Sequence, residues 1–130
     1  MIDQTIFALS SGAGIAGIAV FRLSGSAALS VLERLTGLSS PAVRYAHRVV
    51  VTHSETKEII DDGLALYFPG PSSFTGEDVV ELHLHGSRAV CSEMVSLLSA
   101  QPDVRLAEAG EFTRRAFDHG KLDLTAAEAL

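Results

Sequence analysis

The sequence predicts one compact α+β domain with a mixed or antiparallel sheet and flanking helices. Its 130 residues suit a single domain. Hydrophobic residues make up 47% of the chain and charged residues 20%, a balance typical of proteins that bury a core. Strand-like and helix-like segments follow one another without the strict alternation of a doubly wound parallel sheet, and this favours the α+β class.

The first third of the chain predicts two strands and a helix. Branched and aromatic residues predict strands at Thr5–Leu9 and at residues 18–23. Ser26 has a suitable side chain for a helix N-cap, and Gly37 is placed to end that helix. The helix would bury one apolar face, made of Ala28, Val31, Leu32 and Leu35.

The middle of the chain predicts a hairpin, a further strand and a second helix. His47–Thr52 and residues 63–69 are strand-like, and the polar segment 53–62 predicts the turn between them. Residues 78–85 alternate in polarity and predict a strand. Ser87 can cap the second helix. The apolar residues of that helix are Val90, Cys91, Met94, Leu97 and Leu98.

The last third predicts a short strand at 104–107 and a helix at 111–119 that stops at Gly120. Thr125 and Glu128 then form a capping box, the signature of a helix start. The chain ends within that first turn, and an isolated turn is unstable because helix nucleation is costly. We therefore expect an N-terminal piece of a longer protein. A terminal turn packed on the core is the alternative.

The glycines of segment 12–17, GAGIAG, fit the spacing of a dinucleotide-binding fingerprint. That fingerprint needs a helix directly after the glycines, because the pyrophosphate binds at the helix N-terminus. Here a predicted strand follows instead. The chain also has no G-K-S/T sequence, so it carries no Walker loop. The glycines are better explained as a turn between two strands, or as a close approach to a ligand or partner.

The composition excludes several classes of protein. The net charge of −6 is unsuited to strong nucleic-acid binding by this domain alone. No apolar run approaches the roughly 20 residues of a membrane span. Cys91 is the only cysteine, so there is neither an internal disulfide nor a cysteine zinc site. These features fit a cytoplasmic protein without membrane attachment.

Two charged residues on predicted strands could take part in binding. Arg22 shares a strand face with apolar neighbours, and a guanidinium there should have an acidic partner or a ligand carboxylate. An edge-strand arginine reaching into water is the alternative. Glu81 lies on the polar face of its strand, where a carboxylate could accept two parallel hydrogen bonds from a pterin or guanine edge. A solvated strand face is the alternative.

His83 and His85 suggest a different hypothesis, a metal-binding protein or metal-dependent enzyme. Two residues apart on a strand, they lie roughly 7 Å apart at the backbone and could share one ion with a carboxylate. Lys121, after the predicted turn at Gly120, could meet an anion. A solvated loop lysine is the alternative.

Three longer segments carry a family resemblance. They are GIAVFRLSG at 17–25, FPGPSSFTGEDVVELHLHG at 68–86 and GEFTRRAFDHGKLDLTAAEAL at 110–130. In this order they resemble the N-terminal domain of the bacterial tRNA modification GTPases, the MnmE or TrmE family. The likeness covers almost the whole chain.

The resemblance implies a fold like the tetrahydrofolate-binding domains of the glycine-cleavage T-protein group. Residues 1–120 would bind 5-formyl- or 5,10-methylene-tetrahydrofolate and form a homodimer, and residues 121–130 would begin a truncated helical domain. The family's folate contacts fall on Arg22, Glu81 and Lys121.

For the full-length protein, the resemblance implies modification of the wobble uridine of tRNA together with an FAD-dependent flavoprotein partner. GTP, Mg²⁺ and K⁺ would bind to a GTPase domain absent from this chain, so we expect the chain alone to be inactive.

Overall fold

The computed structural model describes residues 4–10 and 17–122 of the chain. These residues form one α+β unit, with six strands in a single sheet and three helices, as predicted. The elements in chain order are β1 (Thr5–Leu9), β2 (Ile18–Ser24), α1 (Ala28–Thr36), β3 (His47–Thr52), β4 (Ile59–Phe68), β5 (Val79–His85), α2 (Arg88–Ser99), β6 (Val104–Leu106) and α3 (Glu111–Asp118).

The sheet is mixed, with strand order β3-β4-β5-β2-β1-β6. Four of its pairings are antiparallel, and only β1 with β6 is parallel. β2 and β5 therefore lie in the interior of the sheet. The alternative of an edge-strand position for Arg22 is wrong, because β2 is paired on both sides.

One face of the sheet forms the hydrophobic core with α1 and α2. Phe21 of β2 and Ala65 of β4 are both paired with Leu82 of β5, and all three are fully buried. The predicted apolar face of α1 is buried on this core. In α2, the three residues Met94, Leu97 and Leu98 are buried, whereas Val90 and Cys91 are partly buried and pack against the core.

The other face of the sheet carries the polar residues of the central strands. The alternation predicted for β5 is confirmed: Val80, Leu82 and Leu84 are buried, while Glu81 and His83 are only partly so. In the β2–β5 pairing, Arg22 lies directly opposite Glu81. The sequence pattern of two strands thus places a cation and an anion side by side on one face.

The structure corrects the predicted start of α1. Its N-cap is Ala27, not Ser26, and no side chain caps it from within the helix. The Ala27 N–H instead donates to Thr5 Oγ1 of β1 at 2.8 Å. Gly25 makes this contact possible, because a β-carbon there would lie 2.5 Å from Thr5 Oγ1. A tertiary contact has replaced the local cap.

The predicted hairpin turn is also too long. β4 begins at Ile59, so the turn spans only 53–58, and Asp61 and Asp62 belong to the strand, opposite Val51 and Val50. The polar carboxylates of Asp61 and Asp62 are the reason why the sequence predicts a turn at these two positions. Two cap predictions are confirmed: Ser87 accepts a hydrogen bond from Val90 N at the start of α2, and Gly37 is the C-cap that ends α1.

Some predictions concern residues outside the ranges 4–10 and 17–122 that the structure describes. Of the glycine segment, Gly17 is described and leads directly into β2, as expected, whereas residues 12–16 lie outside the described residues. The capping box of Thr125 and Glu128 also lies outside them. None of the helices in the described ranges is long and apolar enough to cross a membrane.

Candidate functional site

The three residues that the family resemblance assigns to folate binding line one cavity of about 370 Å³, whereas His83 and His85 are not among its lining residues. Arg22 comes from β2, Glu81 from β5, and Lys121 from the segment just after α3. They are separated by 59 and 40 positions in the chain, so only the fold brings them together. The remaining lining residues are Arg44, Phe68, Ser72, Ser73, Phe74 and Val79.

The Arg22 guanidinium and the Glu81 carboxylate form an ion pair in the cavity wall. Nη2 and Nε of Arg22 lie 2.9 and 3.0 Å from Glu81 Oε2. On the other side, His83 Nε2 lies 2.9 Å from Glu81 Oε1. Burial opposes ionisation of Glu81, but the hydrogen bonds with His83 and Arg22 outweigh it and hold the pKa of the carboxyl below its ordinary value.

Two phenylalanine rings support the two arginines of the cavity. Arg22 Cζ lies 5.5 Å from the centre of the Phe74 ring, and Arg44 Cζ lies 5.5 Å from the centre of the Phe68 ring. Both distances are within the range of cation–π attraction. The rings therefore restrict the positions of the guanidinium groups and give the cavity flat apolar surfaces.

A hydrogen-bonded cluster fixes the loop that carries Phe74. Ser24 Oγ, at the end of β2, lies 2.7 Å from Thr75 Oγ1 and donates to Glu77 Oε1 at 2.7 Å. Arg115 of α3 donates to the same Glu77 oxygen at 3.0 Å. Ser24, Thr75 and Arg115 are buried. The cluster joins β2, the loop and α3 into one support for the cavity.

Arg115 also sets the position of α3, and with it Lys121. Its Nη2 donates to the Gln4 carbonyl at 2.7 Å and to Glu111 at 3.3 Å. Arg105 makes two further hydrogen bonds to Glu111, at 2.6 and 2.8 Å. These Arg105 hydrogen bonds are the main cause that lowers the pKa of Glu111 to about 2. Glu111 is therefore a fixed anion between two arginines.

Lys121 reaches the cavity past a glycine. Its N–H donates to the Ala116 carbonyl at 2.8 Å, which turns the chain back at the end of α3. A β-carbon added to Gly76 would lie 2.7 Å from His119 Cβ and 3.6 Å from Lys121 Cε. Gly76 also has φ of 83°, a conformation that favours glycine. This glycine therefore allows the loop and the residues after α3 to meet closely.

The charge of the cavity differs from that of the chain. Arg22, Arg44 and Lys121 line it, and Glu81 is the single carboxylate among the described lining residues, whereas the whole chain has a net charge of −6. Together with the two phenylalanine rings, this lining suits a ligand that has a flat ring and carries negative charge.

The sequence matches the family described as "GTP-binding protein TrmE N-terminus" over residues 5–121. The match covers nearly all of the chain. The chain belongs to the MnmE/TrmE family. The motif-based resemblance is thus confirmed at the level of the family.

Curated MnmE/TrmE relatives match the chain along its length. It is 57% identical to the "tRNA modification GTPase MnmE" of Bradyrhizobium sp., over 98% of this chain and 28% of the relative. The protein of the same name from Parvibaculum lavamentivorans is 55% identical, over 98% of this chain and 29% of the relative. A mitochondrial protein of Danio rerio, "5-taurinomethyluridine tRNA synthase subunit GTPB3", is 54% identical over 98% and 25%. The chain therefore spans between 25% and 29% of the length of these relatives.

The structure does not favour the metal hypothesis. His83 and His85 have separate partners: His83 contacts Glu81, and His85 Nδ1 lies 2.9 Å from an oxygen of Asp61. The only group of three potential ligands within residues 4–10 and 17–122 is Asp61, Asp62 and His85, whose ligand atoms lie within 4.8 Å of one another. This group contains neither His83 nor Glu81.

Sequence reasoning missed several parts of the cavity. Arg44 lies in none of the predicted strands or helices, and no sequence pattern marks it as a binding residue. Phe74 lies in the segment 68–86, which was recognised only as part of the family resemblance. Arg115 falls in the helix predicted at 111–119, but its burial was not predicted. A helical-face analysis of α3 could have indicated that burial, because Arg115 lies three positions after Phe112, on the side of the helix that Phe112 and Ala116 make apolar.

Proposed function

We propose that this chain is the tetrahydrofolate-binding and dimer-forming domain of a tRNA-modifying GTPase. In this proposal it binds 5-formyl- or 5,10-methylene-tetrahydrofolate as the one-carbon source for modification of the wobble uridine. Arg22, Glu81 and Lys121 are the folate-binding residues. The observation that carries the proposal is that these three side chains, far apart in sequence, line one cavity.

The residues of the cavity fit a reduced pterin. Its volume of about 370 Å³ is within the usual range for small-molecule sites. The aminopyrimidine edge of a pterin offers N–H donors, and an ionised Glu81 is an acceptor for them. The pairing with Arg22 and His83 keeps that carboxylate ionised. The Phe74 and Phe68 rings offer apolar surface to a flat ligand.

Binding of two ring donors would require Arg22 to move. A carboxylate has about four acceptor positions, and hydrogen bonds from Arg22 and His83 already use three of them on Glu81. Two parallel hydrogen bonds from the ring need a free position on each carboxylate oxygen, and Arg22 fills both positions of Oε2. A ligand that binds in this way must therefore displace one of the two Arg22 hydrogen bonds. The released N–H could then bind the polar edge of the ring.

The rest of the proposal concerns the longer protein. Residues 1–120 form the folate-binding and dimerisation domain, and residues 121–130 begin a helical domain. GTP, Mg²⁺ and K⁺ act in a GTPase domain outside this chain, and an FAD-dependent flavoprotein is the partner in tRNA modification. The protein acts in the cytoplasm. With its net charge of −6, this domain does not bind nucleic acid strongly by itself.

Dimer formation is supported by the two edge strands of the described sheet. β3 and β6 are its edge strands, and edge strands tend to pair with other chains. Near the β3 edge, Val50 and Ile59 expose 44% and 73% of their surface. Light scattering should give the mass of a dimer, and a monomer mass across a wide concentration range would contradict this part of the proposal.

Calorimetry tests the folate proposal. 5-Formyltetrahydrofolate titrated into the chain in buffer with EDTA should give saturable binding with one ligand per chain. GTP is the control ligand and should give no heat of binding, because the sequence has no Walker loop. The absence of folate binding up to millimolar concentration, or binding that EDTA abolishes, would overturn the proposal.

A further inference from the structure

The cationic residues of the cavity differ in their partners. Arg22 is paired with Glu81 at 2.9 Å. For Arg44 and Lys121, the described part of the chain supplies no carboxylate within ion-pair distance, yet both line the same cavity. The negative charge of Glu81 offsets the positive charge of Arg22. The remaining positive charge of the cavity is therefore on Arg44 and Lys121.

Arg44 is held in place from two sides. Its backbone N–H donates to the Tyr67 carbonyl at 2.9 Å, beside a β-bridge between Val43 and Tyr67. Its Nη2 donates to the Ser72 carbonyl at 2.7 Å, and its guanidinium lies over the Phe68 ring. A guanidinium has five N–H donors. Within residues 4–10 and 17–122, the hydrogen bond to Ser72 is the one that the guanidinium donates; it orients the group, and the other donors can serve a ligand.

Arg44 lies at a different part of the cavity from the Arg22–Glu81 pair. Phe68, under Arg44, is opposite Val79 in the β4–β5 pairing, whereas Arg22 is opposite Glu81. Val79 and Glu81 are two residues apart on one strand, a separation of roughly 7 Å. The cavity therefore has two neighbouring positions, one with the Glu81 carboxylate and one with a guanidinium that has no carboxylate partner among the described residues.

We infer that Arg44 binds a carboxylate of the glutamate tail of the folate, while the Glu81 position takes the ring. The inference rests on the proposed function and adds the residue that distinguishes a folate from a pterin without a tail. Arginine suits this role because its planar fork can donate two parallel hydrogen bonds to one carboxylate. Lys121 adds positive charge without that geometry.

The test uses two ligands and a matched pair of variants. The ligands are 5-formyltetrahydrofolate and 6-methyltetrahydropterin, which has the reduced ring but no glutamate. The variants are Arg44→Gln and Arg48→Gln. Arg48 is an exposed arginine of β3 that does not line the cavity. Arg44→Gln should weaken 5-formyltetrahydrofolate binding roughly 10- to 100-fold, the usual effect of losing hydrogen bonds between charged groups. It should leave the affinity for the pterin unchanged, and Arg48→Gln should change neither affinity.

Three results would overturn the inference. Unchanged folate affinity in Arg44→Gln removes Arg44 from the site. Equal loss for both ligands shows that Arg44 shapes the ring position instead. Failure of the wild-type chain to bind either ligand overturns the proposed function as well. Thermal melts check that each variant is folded. If Arg44→Gln does not fold, Arg44→Lys replaces it and should show a smaller, still tail-dependent loss, because lysine keeps the charge but not the fork.

Discussion

Arg22 and Glu81, directly opposite each other on β2 and β5, share two hydrogen bonds at a single carboxylate oxygen. The arginine is also supported by the Phe74 ring, and the second carboxylate oxygen contacts His83. This arrangement places an ionised acceptor in the cavity wall and holds it there before any ligand arrives. The proposed function depends on this pair.

Glu81→Gln should weaken binding of 5-formyltetrahydrofolate. The amide keeps the size of the side chain but replaces one acceptor with a donor that would face the donors of the ring. The loss should be about 2–4 kcal/mol, or roughly 30- to 1000-fold in affinity. Calorimetry measures it, with Glu55→Gln in the exposed hairpin turn as the matched control.

Thermal melts without ligand separate a binding role of Glu81 from a structural one. We expect only a small change in melting temperature for Glu81→Gln, because the core residues of β5 are on the opposite face. Wild-type affinity in Glu81→Gln would exclude this residue from the site. A large drop in melting temperature together with lost binding would show that the Arg22–Glu81 pair is structural.

Arg115→Met should destabilise the fold strongly. Arg115 is buried and contacts Glu77, Glu111 and the Gln4 carbonyl. Removal of one partner from a buried ion pair leaves an uncompensated charge and costs about 3–5 kcal/mol. Urea unfolding measures this loss. Its neighbour on the same helix, Arg114, is exposed, so Arg114→Met should stay within about 0.5 kcal/mol of wild type. Similar losses in the two variants would contradict the buried network.

Stability should fall in acid, in part through Glu111. Its pKa is lowered from 4.5 to about 2 in the folded chain. Such a group stabilises the fold fully above its unfolded pKa, and this contribution is lost as the pH falls from about 4.5 towards 2. The pKa values of Glu81 and Asp61 are also lowered and act in the same direction.

Glu111→Gln tests this pH dependence. Melting temperatures should be recorded between about pH 6 and about pH 2.5. As the pH falls, the melting temperature should decline less steeply in Glu111→Gln than in wild type. Glu58→Gln, which alters an exposed carboxyl of the hairpin turn, is the control and should follow the wild-type curve. A Glu111→Gln curve parallel to wild type over this range would contradict the assignment.

His85 should titrate above its ordinary pKa of 6.5, because it is hydrogen-bonded to Asp61 and lies near its charge. NMR of the imidazole Cε1–H against pH measures this pKa. Asp61→Asn should bring it back towards 6.5. Asp62→Asn should have a smaller effect, since Asp62 acts on His85 only through its charge. A pKa of His85 that Asp61→Asn leaves unchanged would show that the pair does not form in solution.

Several features that depend on a local sequence pattern were predicted correctly. Alternation along β5 predicted that Glu81 and Val80 would lie on opposite faces, and this is confirmed. The need of Arg22 for an acidic partner also followed from its apolar neighbours, although the pattern left open whether a ligand or a side chain would supply it. Pairing of β2 with β5 identifies that partner as Glu81.

Features set by long-range contacts were not predictable in the same way. The N–H of Ala27 is satisfied by Thr5, 22 positions earlier, so the local cap at Ser26 was unnecessary. Arg44 reaches the cavity only because a loop crosses the end of β4 and Ser72 accepts its hydrogen bond. No periodicity encodes such contacts, since they depend on how distant segments pack.

The most direct test of the central claim is a site-resolved titration. Backbone amide spectra of the ¹⁵N-labelled chain should be recorded as 5-formyltetrahydrofolate is added to saturation. The account predicts that the largest shift changes fall on the cavity, at Arg22, Phe74, Val79, Glu81 and Lys121. Saturable changes that instead cluster around a second cavity, the one lined by His53, Ile60 and Glu93, or the absence of any change, would contradict it.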